Sequence, residues 1–378
     1  MKRLLQHLAF GLLSLSAAAA LSSSSCGGAS SNDPEVVPEI STDKEELAAS
    51  YEATELTVNV TANCEWGVSS GATDWCTVSP SGGLSGSSTV KVSLTENFTR
   101  DARETVLTFR FGSARKTVNV KQECKEDGVN IPAGYKLVWQ DEFNTSGSST
   151  PDSDKWWYET GSSGWGNNEL QNYVADGMYN GVKIAEVSDG TLKITAQKIG
   201  GKVQSVRMNT KESWTYGYFE ARLKLPKGKG TWPAFWMMPK NYHSWPADGE
   251  IDIMEEVGYN PEYVSSSIHC TAYNHPKNTQ KTHEFLLKGA QSEFHTYALE
   301  WTAEKMDFIF DGEVHLTFKN DGKGNYDTWP FNNPFYLKLN LAWGGNWGGA
   351  MGVDESCLPA TYEIDYVRVF QKTIIAVR

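Results

Sequence analysis

An acidic run within an apolar strand, residues 249–256 (GEIDIMEE), constrains the fold more than any other feature. Glu250 and Asp252 are two residues apart, so a β-strand directs both side chains to one face. Strict alternation would send Glu255 to the opposite face. One extra residue in the strand, a β-bulge, returns Glu255 to the face of Glu250 and Asp252. The run therefore predicts a bulged β-strand on which three carboxyl groups converge.

Three convergent carboxyl groups have a specific chemical use. Like charges at close range repel, so one group keeps its proton near neutral pH and a carboxylate then lies beside a carboxylic acid. Retaining glycosidases need such a pair, with carboxyl groups about 5–5.5 Å apart. The alternative from these residues alone is an amphipathic strand whose acidic side chains face water.

The distribution of tryptophan favours the glycosidase interpretation. Of 14 tryptophans, 12 follow residue 130. Trp232 and Trp236 precede the acidic run, and Trp165, Trp343 and Trp347 lie in glycine-rich segments. Indole rings are rigid apolar platforms with one N–H donor, and glycine allows close approach of the backbone to a ligand. We therefore predict these five residues to contact sugar, with core packing as the alternative for any single tryptophan.

From about residue 128 to 371, the chain resembles laminarinase-type members of glycoside hydrolase family sixteen. The matching segments run in family order and are 139–143 (WQDEF), 164–171 (GWGNNELQ), 216–222 (YGYFEAR), 232–239 (WPAFWMMP), 250–255 (EIDIME) and 363–369 (EIDYVRV). The resemblance implies a β-jelly-roll sandwich with a glycan cleft, and a retaining, endo-acting mechanism.

The resemblance also implies roles for the residues that match its motifs. Glu250 would be the nucleophile, Glu255 the general acid/base and Asp252 the assisting carboxylate. Glu256 has no implied role, and we interpret it as a surface residue.

Further positions are implied to contact the glycan. Trp232 and Trp236 would flank the cleavage point, and Asn168 and Arg207 would line the sites of the sugars on the non-reducing side. The alternative for Arg207 is a surface ion pair. His269, expected on a neighbouring strand, would hydrogen-bond near the catalytic acids or serve as a structural histidine.

Related enzymes often carry a structural calcium ion, and the resemblance places Glu142 and Asp365 at its position. A hard cation could link the first and last strands, although its shell of roughly six to eight oxygens would need backbone carbonyls and water as well. The alternative is two ordinary acids at a sheet edge. No cofactor is expected for catalysis. The cysteine spacing matches no metal-site pattern, so neither a zinc site nor a nucleophilic cysteine is predicted.

The N-terminus predicts export and membrane attachment. Lys2 and Arg3 precede an apolar run that ends in alanines and a serine cluster before Cys26. Residues 1–25 resemble a bacterial lipoprotein signal, with Cys26 as the lipidated residue and residues 26–40 as a flexible tether. Simple secretion is the alternative, because Ser23 replaces the usual leucine. The expected location is the bacterial cell envelope, anchored by lipid to the outer membrane.

A smaller domain is predicted between the tether and the hydrolase. Residues 41–123 contain short strand-like runs, several separated by Gly/Ser turns, and predict a small immunoglobulin-like β-sandwich. The segments 63–68 (NCEWGV) and 74–80 (DWCTVSP) resemble the BACON domain of glycan-degrading enzymes. We favour a spacer role for this domain, with carbohydrate binding as the alternative, and we expect Trp66 and Trp75 to be core residues.

The chain is thus predicted to be all-β and monomeric. Strand follows strand after residue 130, and Asp311-Gly312 predicts the turn of a β-hairpin. The formal net charge of −12 argues against a nucleic-acid partner. The expected activity is hydrolysis of β-1,3 links in laminarin-like or mixed-linkage β-glucan. The alternatives are β-galactan or host poly-lactosamine with the same mechanism, and a non-catalytic glycan-binding lipoprotein.

Overall fold

The computed structural model describes residues 37–99, 101–112, 114–125, 128–145 and 147–373. They form two compact units that meet in sequence between Val129 and Asn130. Helix among the described residues is limited to three 3-10 turns, Ala175–Gly177, His275–Lys277 and Glu355–Cys357. No helix in these ranges is long and apolar enough to cross a membrane. The prediction of an all-β chain is confirmed.

The first unit is a sandwich of two sheets, with strand orders β1-β3-β7-β5 and β2-β9-β8-β4-β6. Its strands are β1 (Ile40–Thr42), β2 (Glu46–Ala49), β3 (Thr54–Ala62), β4 (Trp66–Ser70), β5 (Cys76–Ser79), β6 (Gly82–Gly83), β7 (Gly86–Leu94), β8 (Arg103–Phe111) and β9 (Ala114–Gln122).

Alternation of apolar and polar residues builds the core of this unit. Val58 and Val60 from one sheet share a buried cluster with Leu107 and Phe109 from the other, while the intervening residues face outward. Trp66 and Trp75 belong to the same cluster. They are core residues, as predicted.

The second unit contains two large sheets and a short two-stranded ribbon. Its strands are β10 (Tyr135–Asp141), β11 (Trp156–Glu159), β12 (Asn172–Tyr173), β13 (Met178–Tyr179), β14 (Val182–Lys183), β15 (Ala185–Ser188), β16 (Thr191–Ile199), β17 (Lys202–Ser205), β18 (Arg207–Thr210), β19 (Gly217–Lys224), β20 (Thr231–Pro239), β21 (Glu250–Glu256), β22 (Tyr263–His269), β23 (Lys281–Leu286), β24 (His295–Trp301), β25 (Lys305–Phe310), β26 (Glu313–Lys319), β27 (Phe335–Trp343) and β28 (Ala360–Lys372).

The two large sheets enclose one apolar core, as a jelly-roll sandwich requires. The ten-stranded sheet has the order β12-β17-β16-β28-β19-β24-β25-β26, with β10 paired to β28 and β15 paired to β16. The seven-stranded sheet has the order β11-β18-β27-β20-β21-β22-β23, and all of its pairs are antiparallel.

Strand β27 shows how the seven-stranded sheet divides its two faces. Phe335, Leu337 and Leu339 are buried in the core, whereas Tyr336 and Lys338 alternate with them and belong to the opposite face. We call this opposite face the outer face.

The register carries this alternation across the sheet. Five paired positions form one row on the outer face, and in strand order they are Trp157, Asn209, Lys338, Trp236 and Asp252.

Candidate active site

The predicted bulge is present in β21 and gathers the three acids. Asp252 pairs with Ser267 and Glu255 pairs with Ser265, so Ile253 and Met254 both lie opposite the single residue Ser266. The pairing with β20 shifts at the same place. Ile253 and Met254 are fully buried in the core. The extra residue therefore returns Glu255 to the outer face, where Glu250 and Asp252 lie.

Two indoles donate hydrogen bonds to the carboxyl groups of the two glutamates, Glu250 and Glu255. Trp245 Nε1 donates to Glu250 Oε2 at 2.9 Å, and Trp232 Nε1 donates to Glu255 Oε1 at 2.9 Å. Each donor holds one carboxyl group in a defined orientation. Trp245 was not predicted from the sequence, although a tryptophan just before the acidic run in a polar, proline-containing segment is a usable signal.

Burial gives the three acids unusual proton affinities. It raises the pKa of Glu250 to about 8, with repulsion from Asp252 adding to the effect. It raises the pKa of Asp252 to about 7. The pKa of Glu255 is raised well above its ordinary value, by burial and then by repulsion from Asp252 and Glu250. Burial and the two neighbouring acids therefore favour the protonated form of Glu255, which a general acid needs.

His269 lies beside the middle carboxylate. Its Nε2 is 3.3 Å from Asp252 Oδ2, and its ring centroid is 5.8 Å from that of Trp245. His269 also pairs with Glu250 across the strands. Ligand atoms of Glu250, Asp252 and His269 all lie within 4.8 Å of one another. This is the one trio of His, Cys, Asp or Glu in the described ranges with metal-binding spacing.

Most of the predicted aromatic platforms surround these acids. Trp347 packs edge-on against Trp232 at 5.5 Å between centroids, which places the glycine-rich segment next to Glu255. Trp236 Nε1 donates to Asn340 Oδ1 at 2.7 Å, and its ring lies beside Asp252 in the register.

The segment around residues 164–171 meets the glycine-rich segment that contains Trp347. Asn168 adopts a φ of 55° and donates from Nδ2 to Asn346 Oδ1 at 2.9 Å. The Trp165 ring packs edge-on against Tyr173 at 5.4 Å between centroids. Both predicted contact residues are therefore held by neighbours from other parts of the sequence.

Arg207 belongs to a half-buried ion cluster on the outer face. Its Nε donates to Glu159 Oε2 at 2.5 Å, and Lys338 Nζ donates to the same oxygen at 2.6 Å. The guanidinium lies 4.6 Å from the Trp165 centroid and 4.8 Å from that of Trp236. The ion pair that we considered for Arg207 exists, but it is half-buried rather than on the open surface, and the guanidinium contacts two predicted sugar platforms.

Lys338 is the least expected member of this cluster. It is fully buried, and burial lowers its pKa to about 7. Neither Lys338 nor Glu159 was predicted. The alternation of residues 335–341 (FYLKLNL) could have placed Lys338 on the outer face, but its ion partner Glu159 is distant in sequence.

Comparisons with known proteins identify the family of this domain. The model of glycosyl hydrolases family 16 matches residues 172–368, and the beta-glucanase of Rhodothermus marinus is 45% identical over 250 residues. That alignment covers 63% of this chain and 85% of the relative. This chain belongs to glycosyl hydrolase family 16. It is a glycoside hydrolase, as predicted.

Solved structures of family 16 members show the same fold. The laminarinase from Rhodothermus marinus has a TM-score of 0.59 and 42% identity, and the match covers 63% of this chain and 98% of that one. A mutant of SCLam, a non-specific endo-beta-1,3(4)-glucanase of the family, has a TM-score of 0.60 and 45% identity, with 64% and 97% covered. The SCLam crystal presents a 1,3-beta-D-cellobiosyl-glucose at its active site.

Residues 39–125 of this chain match the model of the Viral BACON domain.

Two interpretations of single residues in this family 16 domain were wrong. Trp343 is 1% exposed and packs in the core, because position 343 continues the inward alternation of β27 and the glycine-rich turn begins only at Gly344. Glu256 is fully buried rather than a surface residue. It accepts hydrogen bonds from the Glu262 backbone N–H at 2.7 Å and from Gln291 Nε2 at 3.0 Å.

Glu142 and Asp365 do not form a ready calcium site. Both Glu142 oxygens accept hydrogen bonds from Arg368 at 2.8 Å, and Asp365 Oδ2 accepts one from Arg222 at 2.6 Å. Both Glu142 oxygens and Asp365 Oδ2 thus face guanidinium groups rather than a cation site. These two residues do not fit the predicted role, and calcium on this domain stays a prediction.

Cys26 and residues 1–25 lie outside the described residues.

Proposed function

We propose that this enzyme is a retaining endo-β-glucanase that cleaves β-1,3 links in laminarin-like and mixed-linkage β-glucans. The observation that carries the proposal is the bulge in β21, which gathers Glu250, Asp252 and Glu255 on one sheet face. The names of the relatives supply the substrate class, since they are a beta-glucanase, a laminarinase and an endo-beta-1,3(4)-glucanase.

In the first step, Glu250 attacks the anomeric carbon while Glu255 protonates the leaving oxygen. The new Glu250–carbon bond forms as the glycosidic carbon–oxygen bond breaks, which gives a covalent glycosyl-enzyme. Glu255 suits the acid role because burial and its two acidic neighbours raise its pKa well above the ordinary value. The N–H group of Trp245 stabilises the Glu250 carboxylate before attack.

In the second step, Glu255 acts as a base and takes a proton from water, which attacks the same carbon and releases Glu250. Asp252 lies between the two glutamates in sequence, and its charge disfavours a second negative charge on Glu255. His269, which lies 3.3 Å from Asp252, acts in the opposite direction and lowers the pKa of Glu255. Asp252 and His269 thus adjust, in opposite directions, a proton affinity that burial of Glu255 raises most.

Product analysis tests the proposal directly. The purified enzyme would be incubated with laminarin, mixed-linkage β-glucan and a poly-lactosamine glycan. Oligosaccharide ladders from either glucan support it, and cleavage of the lactosamine polymer alone would replace the substrate class. Binding without any product would favour a glycan-binding protein.

Substitutions test the assigned roles with a matched control. Glu250→Gln and Glu255→Gln should each lower kcat by about 10²–10⁴ or more, because each removes a group that acts in the transition state. Glu256→Gln changes the neighbouring buried carboxyl and should keep kcat near the wild-type value. Equal losses in all three variants would contradict the assignment.

The N-terminal sequence extends the proposal to location. The pattern that ends at Cys26 supports a lipid anchor in the outer membrane, with residues 41–123 as a spacer. Growth with a palmitate analogue should label the full chain, and Cys26→Ala should abolish the label. A labelled Cys26→Ala protein would refute this anchor.

A further inference from the structure

An aromatic pair on the outer face, the exposed Trp157 and the half-buried Tyr336, has no role in the catalytic steps. Trp157 lies on β11, the edge strand of the seven-stranded sheet. It is two residues from Glu159, so both side chains belong to the outer face. Its neighbour Trp156 is 1% exposed in the core, whereas Trp157 is 38% exposed. The strand therefore places one indole inside the sandwich and presents the other to solvent.

The exposed indole is held rigidly. The Trp157 ring packs against Tyr336 with centroids 5.8 Å apart and planes at 63°. Its Nε1 donates to the Thr210 carbonyl oxygen at 3.2 Å, so the N–H group is already used. The Tyr336 ring in turn lies 5.1 Å from Lys338 Nζ. What Trp157 offers to a ligand is consequently a fixed apolar ring surface.

This pair is continuous with the catalytic centre. Trp157 belongs to the row that runs through Lys338 and Trp236 to Asp252. Lys338 Nζ lies 4.9 Å from the Trp236 centroid as well as beside Tyr336. Four strand spacings separate β11 from β21, or about 19 Å along the sheet. A hexose unit is about as long as one spacing, so Trp157 lies three or four sugars from the cleavage point, with Tyr336 on the side toward it.

We propose that Trp157 and Tyr336 form a distal subsite that stacks one glucosyl ring of the bound glucan chain. The proposal rests on the proposed function and adds a binding position to that site. A β-linked glucosyl ring has flat apolar C–H faces and no charge, which suits the face of the Trp157 indole, whose one N–H donor is already used. The subsite strengthens binding of long chains and leaves the chemical step unchanged.

The test is the chain-length dependence of hydrolysis. The wild type, Trp157→Ala and Trp157→Phe would be compared on β-1,3-gluco-oligosaccharides of increasing length, from the trimer upward. Trp157→Ala should lower kcat/KM about three- to tenfold on the longest chains, through KM, and leave the trimer unchanged. Trp157→Phe should retain most of the wild-type preference for long chains, because phenyl also offers an aromatic face.

The trimer rate serves as the folding control for each variant. A loss that is equal at all lengths, or no loss at any length, would overturn the subsite while the proposed function stands. A wild type that cleaves none of these oligosaccharides would overturn the proposed function and the subsite together.

Discussion

Ser266 donates a hydrogen bond of 2.7 Å to the carbonyl oxygen of Ile253. Ile253 and Met254 together face Ser266, so this bond ties the partner strand to the extra residue of the bulge. The bulge sets the direction of Glu255 relative to Glu250. A serine on the buried face of the sheet therefore supports the geometry of the acids on the other face.

We expect Ser266→Ala to weaken both the fold and the reaction. The buried Ile253 carbonyl would lose its side-chain partner, which costs about 1–3 kcal/mol in the free energy of unfolding. A small displacement of Glu255 should lower kcat by about tenfold or more with little change in KM. Urea unfolding and steady-state kinetics on laminarin measure the two effects.

Ser292→Ala is the matched control. It removes a serine Oγ that donates to the Gly289 carbonyl oxygen at 3.3 Å. This hydrogen bond is exposed, and Ser292 is far from the bulge in sequence. This variant should leave kcat unchanged. If Ser266→Ala kept the wild-type kcat, the bulge would not depend on this hydrogen bond.

A histidine pair continues the same network and makes stability depend on pH. His315 Nε2 lies 3.0 Å from Ser266 Oγ, and His315 Nδ1 lies 3.2 Å from His283 Nδ1. Since the Ser266 proton is donated to Ile253, His315 Nε2 is the donor to Ser266. His315 Nδ1 then accepts from His283. Neutral His315 fits this arrangement, and burial lowers its pKa to about 4.

The sign of the pH effect follows from that lowered pKa. As pH falls from about 6.5 to about 4, the unfolded chain binds a proton at His315 before the folded protein does. The free energy of unfolding should therefore decrease through this window. His315→Phe should lack this contribution, so urea unfolding at several pH values should show a smaller decrease than in the wild type. Parallel curves for both proteins would contradict the assignment.

The two indole donors predict shifts in the pH dependence of kcat/KM. Trp245→Phe removes a hydrogen bond that lowers the pKa of Glu250, so the acidic limb should move to higher pH. Trp232→Phe removes a hydrogen bond that lowers the pKa of Glu255, so the basic limb should move to higher pH. The profile is measured on a soluble β-glucan.

Trp157→Phe provides the control for this experiment, because its indole N–H bonds a backbone carbonyl rather than a catalytic acid. Its pH profile should match the wild type. A shift of the same limb in both Trp245→Phe and Trp232→Phe would show that the two donors do not act on separate groups.

Local rules predicted those features in which neighbours in sequence determine the geometry. The spacing of Glu250, Asp252 and Glu255 requires a bulge, and the structure contains it. The Asp311-Gly312 turn is also present as predicted, with φ values of 48° and 84° and Phe310 paired to Glu313. In both cases, alternation or turn chemistry within a few residues carries the information.

Features that depend on distant pairing were missed or misjudged. The ion cluster brings together Glu159, Arg207 and Lys338 from three strands, and no local pattern relates them. Trp343 was assigned to the glycine-rich turn because of its neighbours, yet the strand extends one residue further than the composition suggests. Strand ends and cross-strand partners are set by the whole sheet, which a local pattern does not encode.

Glu256 gives the last prediction, because its burial contradicts its sequence interpretation. Burial raises the pKa of Glu256 to about 7, although hydrogen bonds from Gln291 and the Glu262 backbone oppose the rise. The folded protein therefore holds this proton more tightly than the unfolded chain, whose carboxyl has its ordinary pKa. The free energy of unfolding should fall as pH rises from about 4.5 to about 7.

Glu256→Gln isolates this contribution. Glutamine has nearly the same shape, and rotation of the Gln291 amide would let both side-chain hydrogen bonds form with an uncharged partner. Below pH 4.5 the two proteins should be similarly stable, and by pH 7 the wild type should have lost roughly 3 kcal/mol relative to the variant. Urea unfolding at pH 4.5, 6 and 7.5 measures the difference. A constant difference across this range would mean that Glu256 remains charged in the folded protein, and that its hydrogen bonds outweigh its burial.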